Sequence, residues 1–204
     1  MLKILALLAN IILVICQLHT LIHIKGKWNI LKYYTYLQNF LACMISIVCC
    51  IFLLIGIFGG KEIPEFVRGL RYIATSGLAA TMFIFIVFLG NGKKMAMTQD
   101  DFIHGFQPQK ANWILHYICP VLSLISFLFF EREISLSSGI WTGLVPIPSC
   151  TYWVVYFFLT VTKRWEEPYS FSCDEKQNVL LEILPFIRMP LSFVVISFIL
   201  WNIK

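Results

Sequence analysis

The chain has 204 residues, of which 59% are hydrophobic and only 13% are charged, and its mean hydropathy is +0.79. This small amount of polar surface cannot cover a core in water, so the composition excludes a soluble domain and indicates an integral membrane protein. The net charge of +5 comes with no basic cluster that has aromatic side chains interleaved. A nucleic-acid partner is therefore not expected.

Six apolar stretches approach the roughly 20 residues that a helix needs to cross a bilayer. They are residues 4–24, 34–58, 69–90, 112–130, 140–161 and 180–201. The segments between them are short, so we predict one domain, residues 1–204, that is an all-α integral membrane protein with a bundle of six transmembrane helices. The first stretch is too long for a signal-peptide core and no small-x-small cleavage site follows it, so we expect it to be retained.

The basic residues suggest an orientation in the membrane. Six spans put both termini on one side and the first, third and fifth loops on the other. The loop side carries Lys25, Lys27, Lys32, Lys93, Lys94, Lys110, Lys163, Arg164 and Lys176, and the terminal side carries Lys3, Lys61, Arg68, Arg71, Arg132 and Lys204. Because cytoplasmic loops are enriched in Lys and Arg, the first, third and fifth loops are predicted to be cytoplasmic.

Seven cysteines are present, six of them inside apolar stretches and none in a CxxC pair. Free cysteine packs as a small hydrophobic residue, so we expect these side chains to be reduced.

Three of the stretches have one polar face when they are drawn as helices at about 100° per residue. The second has Thr35, Gln38, Asn39, Ala42, Ser46 and Cys49 on this face; the fourth has Asn112, His116, Cys119 and Ser123; the fifth has Thr142, Pro146, Ser149, Trp153, Tyr156 and Thr160. Polar groups within a membrane must find partners, so these faces are predicted to meet inside the bundle.

His116 and Thr35 are the candidates for chemistry within this interior. An ionisable ring inside a span is costly and points to function, although a packing histidine is the alternative. Thr35 alone has a simpler interpretation as a hydroxyl bonded to its own helix. Both residues lie about one turn inside spans that enter from the same side. We therefore predict one chamber near that surface, which Tyr156 and the fifth loop also approach.

Four short motifs occur in order along the chain. They are Tyr34-Thr35, Asn112-x-x-x-His116 with Pro120, Ser137-Ser138-Gly139-Ile140, and Trp165-x-x-Pro168-Tyr169. With these motifs the chain resembles the androgen-induced-gene family of membrane threonine hydrolases, and more closely its uncharacterised bacterial six-span relatives. The resemblance implies six membrane helices in a bacterial-type cell membrane, no cofactor, and hydrolysis of fatty acid esters of hydroxy fatty acids by a Thr nucleophile and a His.

By position, Thr35 matches the family's threonine and His116 its histidine. The chain differs from the animal members at three places. It has Gln38 and Ser126 where they have acidic residues, and Trp113 where they have a second histidine.

A threonine hydroxyl becomes a good nucleophile only when a base takes its proton, so His116 must lie within hydrogen-bond reach, directly or through one water. We expect acylation of Thr35 by a lipid ester and then hydrolysis by water. The side chains expected to bind substrate or orient the pair are Gln38, Asn39, Asn112, Tyr156 and Trp165.

Two other functions remain open. A polar chamber can bind or transport a small lipid-like or anionic molecule without chemistry, and Arg188 in the last span is a candidate contact for an anion. A metal enzyme would need His19, His23 and His116 together. We expect no metal, because the first two lie on the face opposite Asn10 and Gln17.

Overall fold

The computed structural model describes residues 1–23, 33–87, 111, 113–131, 136, 138–162, 164 and 179–203, with the backbone alone at 160, 161 and 179–186. Every regular element in these ranges is helical. The elements are α1 (Leu2–His23), α2 (Tyr34–Phe58), α3 (Glu65–Val87), a π-helical turn π1 (Ile114–Ile118), α4 (Cys119–Ile125), a second π-helical turn π2 (Ser126–Phe130), α5 (Ile140–Leu144), α6 (Pro146–Val161) and α7 (Val179–Ile203).

The predicted all-helical fold is confirmed, and each of the six stretches forms helix. Among the described residues, four helical stretches are long and apolar enough to cross a membrane, and two shorter apolar helices accompany them. The long ones are Leu2–His23, Tyr34–Phe58, Glu65–Val87 and Ile140–Leu159, and the shorter ones are Ile114–Phe130 and Ile187–Ile203.

Two differences from the prediction are larger than one or two residues at the end of a helix. Helix α3 begins at Glu65 rather than at 69, with the Pro64 carbonyl accepting the first backbone hydrogen bonds. The first turn of α3 contains charged residues, so a search for apolar stretches places the start of the helix too late. The fifth stretch is interrupted at Val145, between α5 and α6. The cause is Pro146, which lacks the N–H that would bond the Thr142 carbonyl.

A neighbouring helix satisfies the carbonyl that Pro146 leaves free. The Ser197 hydroxyl on α7 donates to the Thr142 carbonyl at 3.2 Å. The Tyr72 hydroxyl on α3 in turn donates to the Ser197 carbonyl at 2.6 Å. The proline break therefore links three helices, because a buried carbonyl without a partner is costly.

Helix α3 lies at the centre of the bundle, against α2, α4, α5 and α7. Small residues on α3 let its neighbours approach closely, as in other membrane helix pairs. The Trp141 ring occupies the space beside Gly69, and the Gln38 amide occupies the space beside Gly77. A Cβ at either glycine would overlap with these side chains.

Helices α1 and α2 are antiparallel neighbours. At one end Gln17 Nε2 donates to Asn39 Oδ1 at 3.2 Å, and at the other Lys3 Nζ lies beside Gly56. We call these the Thr35 end and the Lys3 end of the bundle.

The outer surface of the helices is apolar, and most of the polar side chains of the predicted polar faces lie in the interior, among buried apolar side chains. Exposed side chains include Ile15, Leu54, Phe129, Phe158 and Phe198. The described polar-face residues of the second and fourth stretches are buried, as are Ser149, Trp153 and Tyr156 of the fifth. This arrangement is the reverse of a water-soluble protein, in which large apolar patches seldom face outward.

Candidate functional site

A small cavity lies near the Thr35 end, among α2, α3, π1, α6 and α7. Its walls are Tyr34, Thr35, Thr81, Ile84, His116, Trp153, Met189 and Phe193. It leaves about 20 Å³ for the centre of a water molecule, which is room for one water. The fold thus brings Thr35 and His116, from distant parts of the sequence, to the same cavity.

His116 lies in the middle of the π-helical turn π1. The turn closes with the Cys119 N–H bonded to the Ile114 carbonyl, five residues back. Pro120 explains the widening, because it has no N–H for the His116 carbonyl and its ring would clash with that carbonyl in a regular α-helix. Single π-helical turns are frequent at functional sites.

The ring of His116 is fixed by α3. It stacks on Phe85, with ring centroids 3.8 Å apart and planes 15° from parallel. It also hydrogen-bonds to the backbone carbonyl of Thr81. Its Nδ1 atom is buried and has no hydrogen-bond partner among the described residues. One ring nitrogen is therefore left for a ligand or a water.

Thr35 lies in the first turn of α2 and is 9% exposed. Its backbone carbonyl accepts a hydrogen bond from Asn39 Nδ2 at 2.9 Å. No direct hydrogen bond joins the Thr35 hydroxyl to the His116 ring, although both side chains are described and line the same cavity. A proton passing between them would need a water molecule or a bound substrate.

Gln38 and Asn39 do not line this cavity; they support residues that do. The Tyr34 hydroxyl donates to Gln38 Oε1 at 2.8 Å, and the Gln38 amide packs against Gly77. Asn39 connects the Thr35 carbonyl to Gln17 on α1. Gln38 and Asn39 thus affect the site indirectly, because they hold Tyr34 and the first turn of α2 in position.

The other predicted contacts differ in outcome. Tyr156 is buried and packs against Trp153, with ring centroids 5.2 Å apart, and Trp153 rather than Tyr156 lines the cavity. Asn112 and Trp165 lie outside the described residues. Arg188 is exposed on α7 and is not at the cavity.

The histidines of α1 lie on the surface. The rings of His19 and His23 have centroids 4.2 Å apart, and both side chains are exposed, whereas His116 is buried. In the described part of the chain no three His, Cys, Asp or Glu side chains are grouped as a metal site would require.

Sequence reasoning missed the contribution of α3 to this site. Thr81 and Phe85, which hold the His116 ring, are four residues apart and so share a helix face. The signal was weak because their contacts are a backbone carbonyl and an aromatic face, which no polar pattern reveals.

A second polar cluster lies toward the Lys3 end. Arg71 Nε is 3.1 Å from Glu131 Oε1, and both side chains are almost fully buried. Three further side chains complete the cluster: Asn10 and Ser126 donate to Glu131 Oε1 at 3.1 and 2.7 Å, and Arg71 donates to Ser123 Oγ at 2.9 Å. Arg71, placed among the surface charges by its sequence, is thus an interior residue.

Comparison of the chain with protein-family models, curated proteins and solved structures finds no match.

Proposed function

We propose that the chain is a six-span membrane protein that hydrolyses lipid esters, with Thr35 as nucleophile and His116 as general base. The proposal rests mainly on one observation. Thr35 and His116 line the same cavity, and His116 Nδ1 is buried without a hydrogen-bond partner among the described residues. The apolar exterior and the burial of polar side chains between the helices support placement in a membrane. The sequence resemblance agrees with the choice of residues.

The chemistry follows from this pair. The Thr35 oxygen attacks the ester carbonyl carbon while His116 takes the hydroxyl proton, and the alcohol leaves with that proton. Water then attacks the acyl-Thr35 ester, again losing a proton to His116, and the fatty acid leaves with Thr35 restored.

The surroundings favour an apolar substrate. Ile84, Met189 and Phe193 line the cavity, and apolar walls bind an acyl chain better than a polar group. The space present holds only one water, so the site has to widen before an ester can enter. We therefore expect the apolar side chains of α3 and α7 near Thr35 to determine which substrates bind.

Labelling with a fluorophosphonate probe tests the nucleophile. An activated hydroxyl displaces fluoride and forms a bond to phosphorus, so the detergent-purified protein should label and the adduct should map to Thr35. Thr35→Ala and His116→Ala should abolish labelling, and Thr35→Ser should retain part of it. Matched controls are Thr20→Ala, another buried threonine at the same end, and the exposed His19→Ala; both should label like wild type.

Hydrolysis of a series of long-chain esters is the second readout. Turnover that requires Thr35 and His116 would support the proposal. If folded wild type neither labels nor turns over any ester, yet binds lipid-like or anionic molecules, the alternative of a binding or transport protein replaces it. Labelling that persists in Thr35→Ala would also refute the assignment.

A further inference from the structure

The N-terminal end of α2 is buried, and no side chain caps its backbone donors. Tyr33 is the N-cap residue of α2, but its side chain makes no capping hydrogen bond. The Tyr33 carbonyl accepts the N–H of Tyr36 at 3.1 Å and that of Leu37 at 3.5 Å. The N–H of Thr35 has no acceptor among the described residues, and Thr35 is 9% exposed. A buried N–H without a partner is costly, so this donor is expected to serve a ligand.

The same end of α2 favours negative charge. The N–H groups of the first turn point out of the helix end, where the helix dipole is positive. The first turn of α2 contains no acidic residue that would offset this positive end. An anion, or a negative charge that develops during a reaction, is therefore stabilised beside the first turn.

A second observation at this helix end also indicates a ligand. Tyr34 and Thr35, the first two residues of α2, line the cavity that His116 lines. His116 is 2% exposed, and its Nδ1 atom has no hydrogen-bond partner in the described part of the chain. The other ring nitrogen bonds to the Thr81 carbonyl and so carries the ring proton, which leaves Nδ1 as an acceptor. One cavity thus has a free acceptor and an uncapped helix end beside a single hydroxyl.

The hydroxyl and the backbone N–H of Thr35 lie on the same side of the first turn. In an α-helix the N–H bond points toward the N-terminus, and the Cα–Cβ bond is tilted in the same direction. Asn39 bonds to the Thr35 carbonyl rather than to its N–H, so this contact leaves the donor available. In serine proteases the backbone N–H of the nucleophile is itself part of the oxyanion hole.

We propose that the backbone N–H of Thr35, at the N-terminus of α2, is the oxyanion donor of the Thr35 site, an inference that rests on the proposed hydrolase function. As Thr35 Oγ bonds to the ester carbonyl carbon, its proton passes to His116 and the π electrons of the carbonyl move onto the carbonyl oxygen. The Thr35 N–H donates to this negative oxygen. The C=O bond then re-forms, the bond to the alcohol oxygen breaks, and the alcohol leaves with the proton from His116.

Replacing residue 35 with the α-hydroxy analogue of threonine tests the donor directly. The change converts the amide between residues 34 and 35 into an ester, so it removes the N–H and keeps the side chain. Cell-free synthesis with nonsense suppression supplies the full chain for hydrolysis of long-chain esters. We expect kcat to fall about 100- to 1,000-fold and KM to stay nearly unchanged, because the donor acts in the transition state. The same replacement at Thr20, a buried threonine of α1, is the matched control and should change kcat less than about twofold.

Two variants of Tyr33 test the donor without unnatural chemistry. In Tyr33→Asn, the side-chain oxygen at the N-cap accepts the N–H of residue 35 or 36 and competes with the oxyanion. Tyr33→Leu has a similar size without this acceptor. Compared with Tyr33→Leu, Tyr33→Asn should unfold at a higher temperature and have a kcat that is lower by about tenfold or more. A merely structural role of the helix end would move stability and turnover in the same direction.

The outcomes separate this inference from the proposed function. Active wild type together with an unimpaired kcat in the folded residue-35 ester would overturn the oxyanion assignment alone, as would a higher kcat in Tyr33→Asn than in Tyr33→Leu. Wild type that neither reacts with the fluorophosphonate nor hydrolyses any ester would overturn the proposed function, and the oxyanion assignment with it.

Discussion

Replacing Gly77 with alanine tests the close approach of the Gln38 side chain on α2 to α3. An alanine Cβ at this position would lie 2.5 Å from Cδ and 2.9 Å from Oε1 of Gln38, whereas carbon atoms in contact are about 3.5–4.0 Å apart. The Gln38 amide would therefore have to move by about 1 Å. It is 2% exposed and bonded to the Tyr34 hydroxyl, so it has little room to do so.

The expected cost combines three terms. Overpacking a buried site costs about 1–3 kcal/mol, and losing the Tyr34–Gln38 hydrogen bond costs about 0.5–1.5 kcal/mol. Alanine recovers about 1 kcal/mol because it favours helix over glycine. We expect Gly77→Ala to lower the free energy of unfolding by about 2 kcal/mol. Because Tyr34 lines the cavity, labelling of Thr35 should fall as well.

Unfolding in mixed micelles with increasing dodecyl sulfate measures this free energy. Gly143→Ala is the matched control, because no atom lies within 4 Å of its added Cβ; it should be neutral or stabilising by up to about 1 kcal/mol. The same substitution at Gly77 is then made in a Gln38→Ala background, where the overlapping amide is absent. There it should cost nothing or stabilise.

The difference between the two backgrounds is the coupling energy of positions 38 and 77. If Gly77→Ala costs the same about 2 kcal/mol with and without the Gln38 amide, the steric reasoning is wrong.

Two further substitutions address the buried ion pair and the π-helical turn. Arg71→Met should destabilise the protein by about 3–5 kcal/mol, because it leaves the buried Glu131 carboxylate uncompensated. In the same unfolding assay, the double variant with Glu131→Leu should recover part of this loss. A double variant that is less stable than the single one would contradict the argument. Pro120→Ala gives residue 120 an N–H for the His116 carbonyl, so the turn should close as regular α-helix and rotate His116 by about 100°. Thermal unfolding should be unchanged or higher while fluorophosphonate labelling of Thr35 is lost, and wild-type labelling in this variant would show that the turn does not position the ring.

Local sequence was enough to predict the helices. Uninterrupted apolar runs about 20 residues long have to satisfy their backbone hydrogen bonds internally, which leads to helix. The polar faces were also readable, since a period of 3.6 residues assigns Thr35 and Ser46 to one side of α2 without knowledge of its neighbours. For α2 the predicted bounds, 34–58, coincide with the observed helix.

The sequence was less informative where a proline or a charge has a role in the interior. Pro146 splits the fifth stretch. Arg71 was counted among the charges on the terminal side, whereas in the structure it is buried and pairs with Glu131. Their pairing depends on α3 and the fourth stretch meeting at one depth, which is a tertiary contact. A buried charge is tolerated only when such a partner is present.

The sequence by itself determined an all-helical chain with apolar outer faces, and it indicated Thr35 and His116 as candidates at one depth. Only the tertiary structure decided that these two side chains share a cavity, that Gln38 and Asn39 stand behind it, and that α3 supplies the carbonyl and the ring that hold His116. The physical reason is that periodicity specifies which side of a helix is polar. Which helices pack together, and how closely, depends on small residues such as Gly77 and on the space each neighbour leaves.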